Sequence, residues 1–169
     1  MNTKQLKEYI VEPTLERLMS LVGSRYKKIK ICTPESVKLI LMTAATESNM
    51  GRYIVQNNDK MAEEKKAVSI YQIEQPTINF VLKRKSNNLL DGLQYFKKDG
   101  QDIRQALISN LSYATAFCRL VYWYKSKDSI PNINDNDGLW KYYKKWYNSS
   151  LGDTTRDEFF SACKRYKLI

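Results

Sequence analysis

The chain has 169 residues, 43% of them hydrophobic and 12% aromatic, with a formal net charge of +10 and no histidine. That size and apolar content suit one folded domain with its own core and argue against disorder; the charge points to a polyanionic partner without choosing among nucleic acid, an anionic bacterial surface and an acidic protein. The missing imidazole excludes Ser-His-Asp and Cys-His nucleophilic catalysis and histidine-based zinc sites, which leaves any acid–base work to Glu, Asp, Tyr or Lys.

The pattern is helical nearly throughout. "MNTKQLKEYIVEPTLERLMSLVG" has charges scattered along it and no continuous apolar run, so it does not read as a secretory signal. It predicts an amphipathic helix over about 3–22, interrupted or restarted at Pro13 and ended by Gly23. Residues 1–30 are either the start of the single domain 1–169 or a helical extension of it. Thr33 as N-cap with Pro34 at the first helical position starts a second helix, running to about Ser48. On its wheel Glu35, Lys38, Met42 and Thr46 share one side, and Val37, Ile40, Leu41, Ala44 and Ser48 the other.

Residues 49–68 are polar and read as a long loop with room for one helical turn. "AVSIYQIE" follows as a short extended or strand-like piece, and Pro76 opens a helix to about Lys85. The longest periodic stretch is 101–125, where Ile103, Leu107, Leu111, Ala114, Phe117, Val121 and Tyr124 draw one stripe. "DSIPNINDNDG" is an exposed connection, and helices at about 139–147 and 155–167 close the chain, the last with a Thr155-x-x-Glu158 capping box. No run of about 18 apolar residues spans a membrane. Cys32, Cys118 and Cys163 are odd in number and far apart, which reads as reduced and mostly buried. The predicted class is mainly α, with at most a small extended element.

The chemistry-bearing position is Glu47, in "TAATESNMG". It borders the apolar side of its helix, and a carboxyl held against apolar surface loses solvation, so its pKa rises toward neutrality. An acid still protonated near neutral pH is what glycosidic cleavage asks for, because the leaving oxygen must receive a proton.

"ATESNMG" followed by "SIYQIE" resembles the two leading motifs of the lytic transglycosylases of the lysozyme superfamily. "NLSYATAFCRLVYW" is similar to the long central helix of phage-encoded members, and "WKYYKKWYNSSLGDTTRDEFF" to their C-terminal part. The resemblance implies a lysozyme-like α+β fold, cleavage of the glycan strands of peptidoglycan, and no cofactor or metal. It makes Glu47 the general acid and then the base, and the sugar's own 6-hydroxyl the attacking group. Ser48, Tyr71, Gln72, Tyr147 and Asn148 become substrate-binding residues. Ser69 stands where the family has glycine, and of the family's Ala-Tyr-Asn-Ala-Gly only Tyr147-Asn148 is present. It also implies a protein carried in a virion, or held in the host cytoplasm before release, acting on the wall and in contact with other virion proteins.

Asp59, Glu63 and Glu64 are available as a second carboxylate if the reaction is hydrolysis; their ordinary reading is a solvated loop. Tyr53, Tyr71, Tyr122, Trp123, Trp140 and Trp146 serve either as core or as sugar-stacking faces. Two other readings stay open: a structural virion protein that keeps the fold without turnover, and a nucleic-acid-binding module. The latter rests on "RYKKIK" (25–30), "KRK" (83–85) and "KYYKKW" (141–146), where basic residues sit among aromatics.

Overall fold

The computed structural model describes residues 1–22, 30–84, 88–126, 128–148 and 152–169. The first helical segment runs as α1 (Thr3–Leu6), a π turn (Lys7–Val11) and α2 (Glu12–Val22). The π turn has a cause in the sequence. Pro13 lacks an N–H and crowds the turn before it, and the Glu12 N–H reaches back to Lys7 O, one residue farther than in an α-helix. Leu6, Val11, Leu15 and Leu18 are fully buried, so this segment is part of the core and not an appended extension. The expected end at Gly23 lies outside the described residues.

α3 (Pro34–Ser48) starts where Thr33 and Pro34 place it. The Thr33 side chain accepts from the Ser36 N–H and the Ser36 hydroxyl accepts from the Thr33 N–H, closing a capping box. The two-sided wheel does not hold: every residue from Leu39 to Ala45 is buried, Met42 completely. α3 is the central helix, because α7, α8 and α9 pack around it in addition to the π turn. It ends at Asn49 in the left-handed conformation (φ 52°).

The 49–74 segment holds one 3₁₀ turn (Glu63–Lys65). Its extended part, among the described residues, is two isolated antiparallel bridges, Val55 with Val68 and Val68 with Ile73. The fold is therefore mainly α. α4 (Gln75–Leu82) begins at the expected proline and stops short of Lys85, itself outside the described residues. α5 (Asn88–Gln94) has no counterpart in the sequence-based expectation. It lies so close to α2 that a Cβ on Gly92 would come within 3.1 Å of Leu18 Cδ1.

The single predicted helix over 101–125 is two, α6 (Ile103–Ser109) and α7 (Leu111–Lys125). Asn110 breaks it by capping: its Oδ1 accepts from the Tyr113 N–H at 2.9 Å and its Nδ2 donates to Phe96 O at 2.7 Å. α8 (Asn136–Tyr143) continues into a second π turn (Lys144–Asn148), and α9 (Arg156–Arg165) starts at the expected Thr155–Glu158 box. One cluster of buried side chains extends from Leu6 to Cys163. The three cysteines are free, two buried and Cys32 half-buried.

Candidate active site

Glu47 occupies the last turn of α3, and two elements close around it. The 69–74 segment passes its end on one side, and the π turn Lys144–Asn148 with Gly152 faces it on the other. Between them lies a cavity of about 250 Å³ lined by Glu47, Gln72, Glu74, Lys125, Tyr147 and Asn148, with Ile73, Thr77, Val121 and Gly152 completing the wall. This space is near the lower end of ligand-pocket sizes, about 300 Å³, and suits the surroundings of one bond more than the length of a polymer.

The Glu47 carboxyl is raised from 4.5 to about 7. Burial is the main cause, the Tyr143 hydrogen bond opposes it, and the charge of Glu74 adds to the rise. Tyr143 donates from its hydroxyl to Glu47 Oε1 at 2.6 Å. No hydrogen bond to Oε2 is found among the described residues, so one oxygen is held and the other is available. Tyr143 is itself fully buried and packs against Phe159 in a tilted pair, with ring centroids 5.0 Å apart. The phenol's own ionisation is pushed up, by burial first and by the Glu47 charge second, so it stays a donor.

The predicted site residues divide into two groups. Gln72, Tyr147 and Asn148 line the cavity with Glu47. Gln72 sits at φ 46° with its amide donating to Ser69 O at 2.9 Å. Tyr147 donates to Tyr71 O at 2.7 Å and stacks on Tyr122 at 5.1 Å. Asn148 accepts from Lys144 Nζ at 2.6 Å and donates to Thr154 Oγ1 at 3.1 Å. Ser48 and Tyr71 do not meet the cavity. Both are fully buried and their polar atoms are spent on the protein, which corrects their assignment as substrate contacts. The Ser48 hydroxyl donates to Ile70 O at 2.7 Å and accepts from the Gly51 N–H at 2.8 Å, tying the end of α3 to the 69–74 segment. The Tyr71 hydroxyl shares a 2.8 Å hydrogen bond with Thr115 in the core.

The loop carboxylates are also misplaced for this role. Asp59, Glu63 and Glu64 are exposed and line no part of the Glu47 cavity; Glu63 pairs with Lys66. The second carboxylate present is Glu74, exposed at the N-cap of α4. Sequence reasoning missed it and Tyr143, although both stand beside residues it chose. Periodicity was the available signal for Tyr143, four positions before Tyr147 on one helical face.

The aromatic candidates are mostly structural. Tyr122 is fully buried, Trp123, Trp140 and Trp146 are half-buried, and Tyr53 is exposed away from the cavity. Of the basic stretches, 25–29 and Lys85 lie outside the described residues. A larger cavity, about 960 Å³, is elsewhere, between the two chain ends and the start of α3. Of the carboxylates that line it, Glu8 and Glu12 are engaged by Lys4 and Lys7 at 4.0 and 3.5 Å. Among the described residues no helix is long and apolar enough to cross a membrane. In comparisons with protein-family models, with curated proteins and with solved structures, no match to this chain is found.

Proposed function

We propose that the protein cleaves the glycan strands of peptidoglycan as a lytic transglycosylase-like enzyme of the lysozyme superfamily, with Glu47 as acid and then base. The observation that carries this reading is the Glu47 carboxyl, raised to about 7, beside an open cavity and with one oxygen fixed by Tyr143. An acid of that pKa is close to the optimum for proton transfer near neutral pH. Protonated on Oε2, it gives its proton to the glycosidic oxygen as the C1–O bond breaks. The carboxylate left behind, still hydrogen-bonded by Tyr143, then takes the proton of the 6-hydroxyl as that oxygen bonds to C1. The products are a shortened strand and a 1,6-anhydro end, and Glu47 is reprotonated for the next turn.

Glu74 supports a second outcome on the same site. It is a carboxylate in the same cavity, and hydrolytic cleavage places one carboxylate to work with water while the other protonates the leaving group. The wall of a bacterial cell is the expected place of action, and a virion or the host cytoplasm before release the expected place of storage. The net charge of +10 supports attraction to an anionic wall.

Muropeptide analysis of purified sacculi digested by wild type and by Glu47→Gln tests this directly. Anhydro-muropeptides from the wild type alone are expected. Reducing ends lost in the variant would make it a hydrolase and turn attention to Glu74. Cleavage that survives the substitution would sink Glu47 as the acid. Absence of cleavage by the folded wild type on sacculi of several chemotypes would favour a structural protein of the particle, and DNA retention that weakens with salt would favour the nucleic-acid reading.

A further inference from the structure

Among the described residues, the cavity is lined by an ammonium that no hydrogen bond or ion pair engages. Lys125, the last residue of α7, lines the space together with Glu47 and Glu74. Its side chain is half-buried, and no hydrogen bond or ion pair to it is found among the described residues. Lys144, the other ammonium beside Glu47, is fully engaged: it donates to Asn148 Oδ1 at 2.6 Å, Gly152 O at 2.6 Å and Thr154 O at 3.0 Å. Lys144 therefore braces the wall, while among the described residues the Lys125 ammonium has donors to spare.

A lysine ending a helix ordinarily extends into water and complements the helix dipole. Lys125 is instead drawn partly out of solvent, and burial lowers its pKa although the charge of Glu74 opposes that. An ammonium drawn partly out of water loses solvation that an incoming anion offsets. A neutral sugar offers no such anion. Near neutral pH much of Glu47 is uncharged, so Lys125 and Glu74 set the charge that a ligand meets.

Resting on the peptidoglycan reading above, we infer that Lys125 recognises a carboxylate carried by the saccharide, so that the cleft selects glycans with a free acid group next to the bond cleaved. In peptidoglycan that group is the lactyl ether carboxylate of a muramyl residue whose stem peptide has been removed. Where the peptide is attached the same carbon is a neutral amide, and the ion pair with Lys125 is lost. The protein thus acts best on strands that an amidase-type reaction has already stripped.

Two measurements on the full chain separate this inference from the function it rests on. The first is calorimetric binding of N-acetylmuramic acid and of neutral N-acetylglucosamine to wild type, Lys125→Met and Lys125→Arg. The acid is expected to bind wild type at least tenfold more tightly than the neutral sugar. Lys125→Met should erase that ratio by weakening the acid, while Lys125→Arg should keep most of it. Equal binding of the two sugars, a ratio that survives Lys125→Met, or binding of neither sugar overturns the inference. The second is kcat/KM on peptide-free and peptide-bearing strands. Equal values overturn the inference and leave the enzyme standing. Selective binding of the acid with no cleavage of either strand leaves the Lys125 site standing and overturns the enzyme.

Discussion

Glu47 is where the fold gives up stability by burying a carboxyl. Its carboxyl is held at about 7 in the folded protein against 4.5 when exposed, so the folded state binds this proton more tightly than the unfolded chain does. Stability must therefore fall as pH rises from about 4.5 to about 7, and stay lowered above that window. The full loss is about 3 kcal/mol at one pKa unit per 1.36 kcal/mol. Glu47→Gln removes the titration and keeps an acceptor for Tyr143. The variant should melt at a higher temperature than wild type at pH about 8, and the gap should close toward pH about 4. Parallel melting curves across that range would mean the carboxyl is not desolvated as described. Glu74 acts on the same group from across the cavity. Since its negative charge helps raise Glu47, Glu74→Gln should lower the Glu47 pKa and draw the alkaline limb of the pH–rate profile to lower pH. An unmoved limb would place Glu74 too far away to matter.

Ser69 is instructive at the same scale. Its backbone lies in the left-handed region, φ 74°, where an L side chain is strained and glycine is not. The serine is retained at a compensated cost, because its hydroxyl accepts from the Tyr71 N–H at 3.1 Å and closes the turn. Asn49, Met50, Ser69 and Gln72 all have positive φ and all flank the end of α3. Strain gathered at one place is the usual company of a functional site.

Caps and breaks decide the elements. Thr33-Pro34 and Thr155-x-x-Glu158 act within four residues of themselves, which is why both helix starts were legible from the chain alone. Asn110 sends an equally local signal, masked by an apolar stripe that runs straight through it. The stripe is real, but its two halves belong to different helices, α6 and α7. Asn110→Ala should cost about 1–2 kcal/mol through the lost cap, or roughly 3–6 °C in melting temperature for a chain of this size. A change under about 1 °C would show that tertiary packing, not the cap, sets the start of α7. The helix α5 was missed because its sequence carries Gly92 at the centre, which lowers helix propensity. Its reason is the partner: a Cβ at Gly92 would crowd Leu18 of α2 at 3.1 Å, and no local signal contains that neighbour.

At the scale of the whole molecule, the two ends of the chain meet at the end of the helix that carries Glu47. The N-terminal ammonium donates to Met50 O at 3.0 Å, and Thr3 donates to Tyr166 O at 3.2 Å. Tyr166 in turn offers its hydroxyl to Asn49 O at 2.7 Å, while Arg165 donates to Asn49 Oδ1 at 2.9 Å. This clasp holds the left-handed residue two positions after the acid. Tyr166→Phe should cost about 1 kcal/mol and raise hydrogen exchange at the Met50 and Gly51 amides more than in α7. Exchange that rises equally in both places would mean the clasp contributes only to global stability.

The sequence by itself determined the helical class, the starts of α3, α4 and α9, the absence of imidazole chemistry, and Glu47 as the acid to watch. Each of these depends on residues within a turn or two of one another, or on composition, so a linear reading reaches them. The tertiary structure decided the rest: that α3 is buried on nearly every side, that Ser48 and Tyr71 are tied into the core, and that Tyr143, Glu74 and Lys125 are the groups sharing space with Glu47. Those three come from distant stretches of chain that packing brings to Glu47 (Glu74 and Lys125 as lining of its cavity, Tyr143 as a hydrogen-bond donor behind it), and both burial and pKa are set by such neighbours rather than by the local sequence.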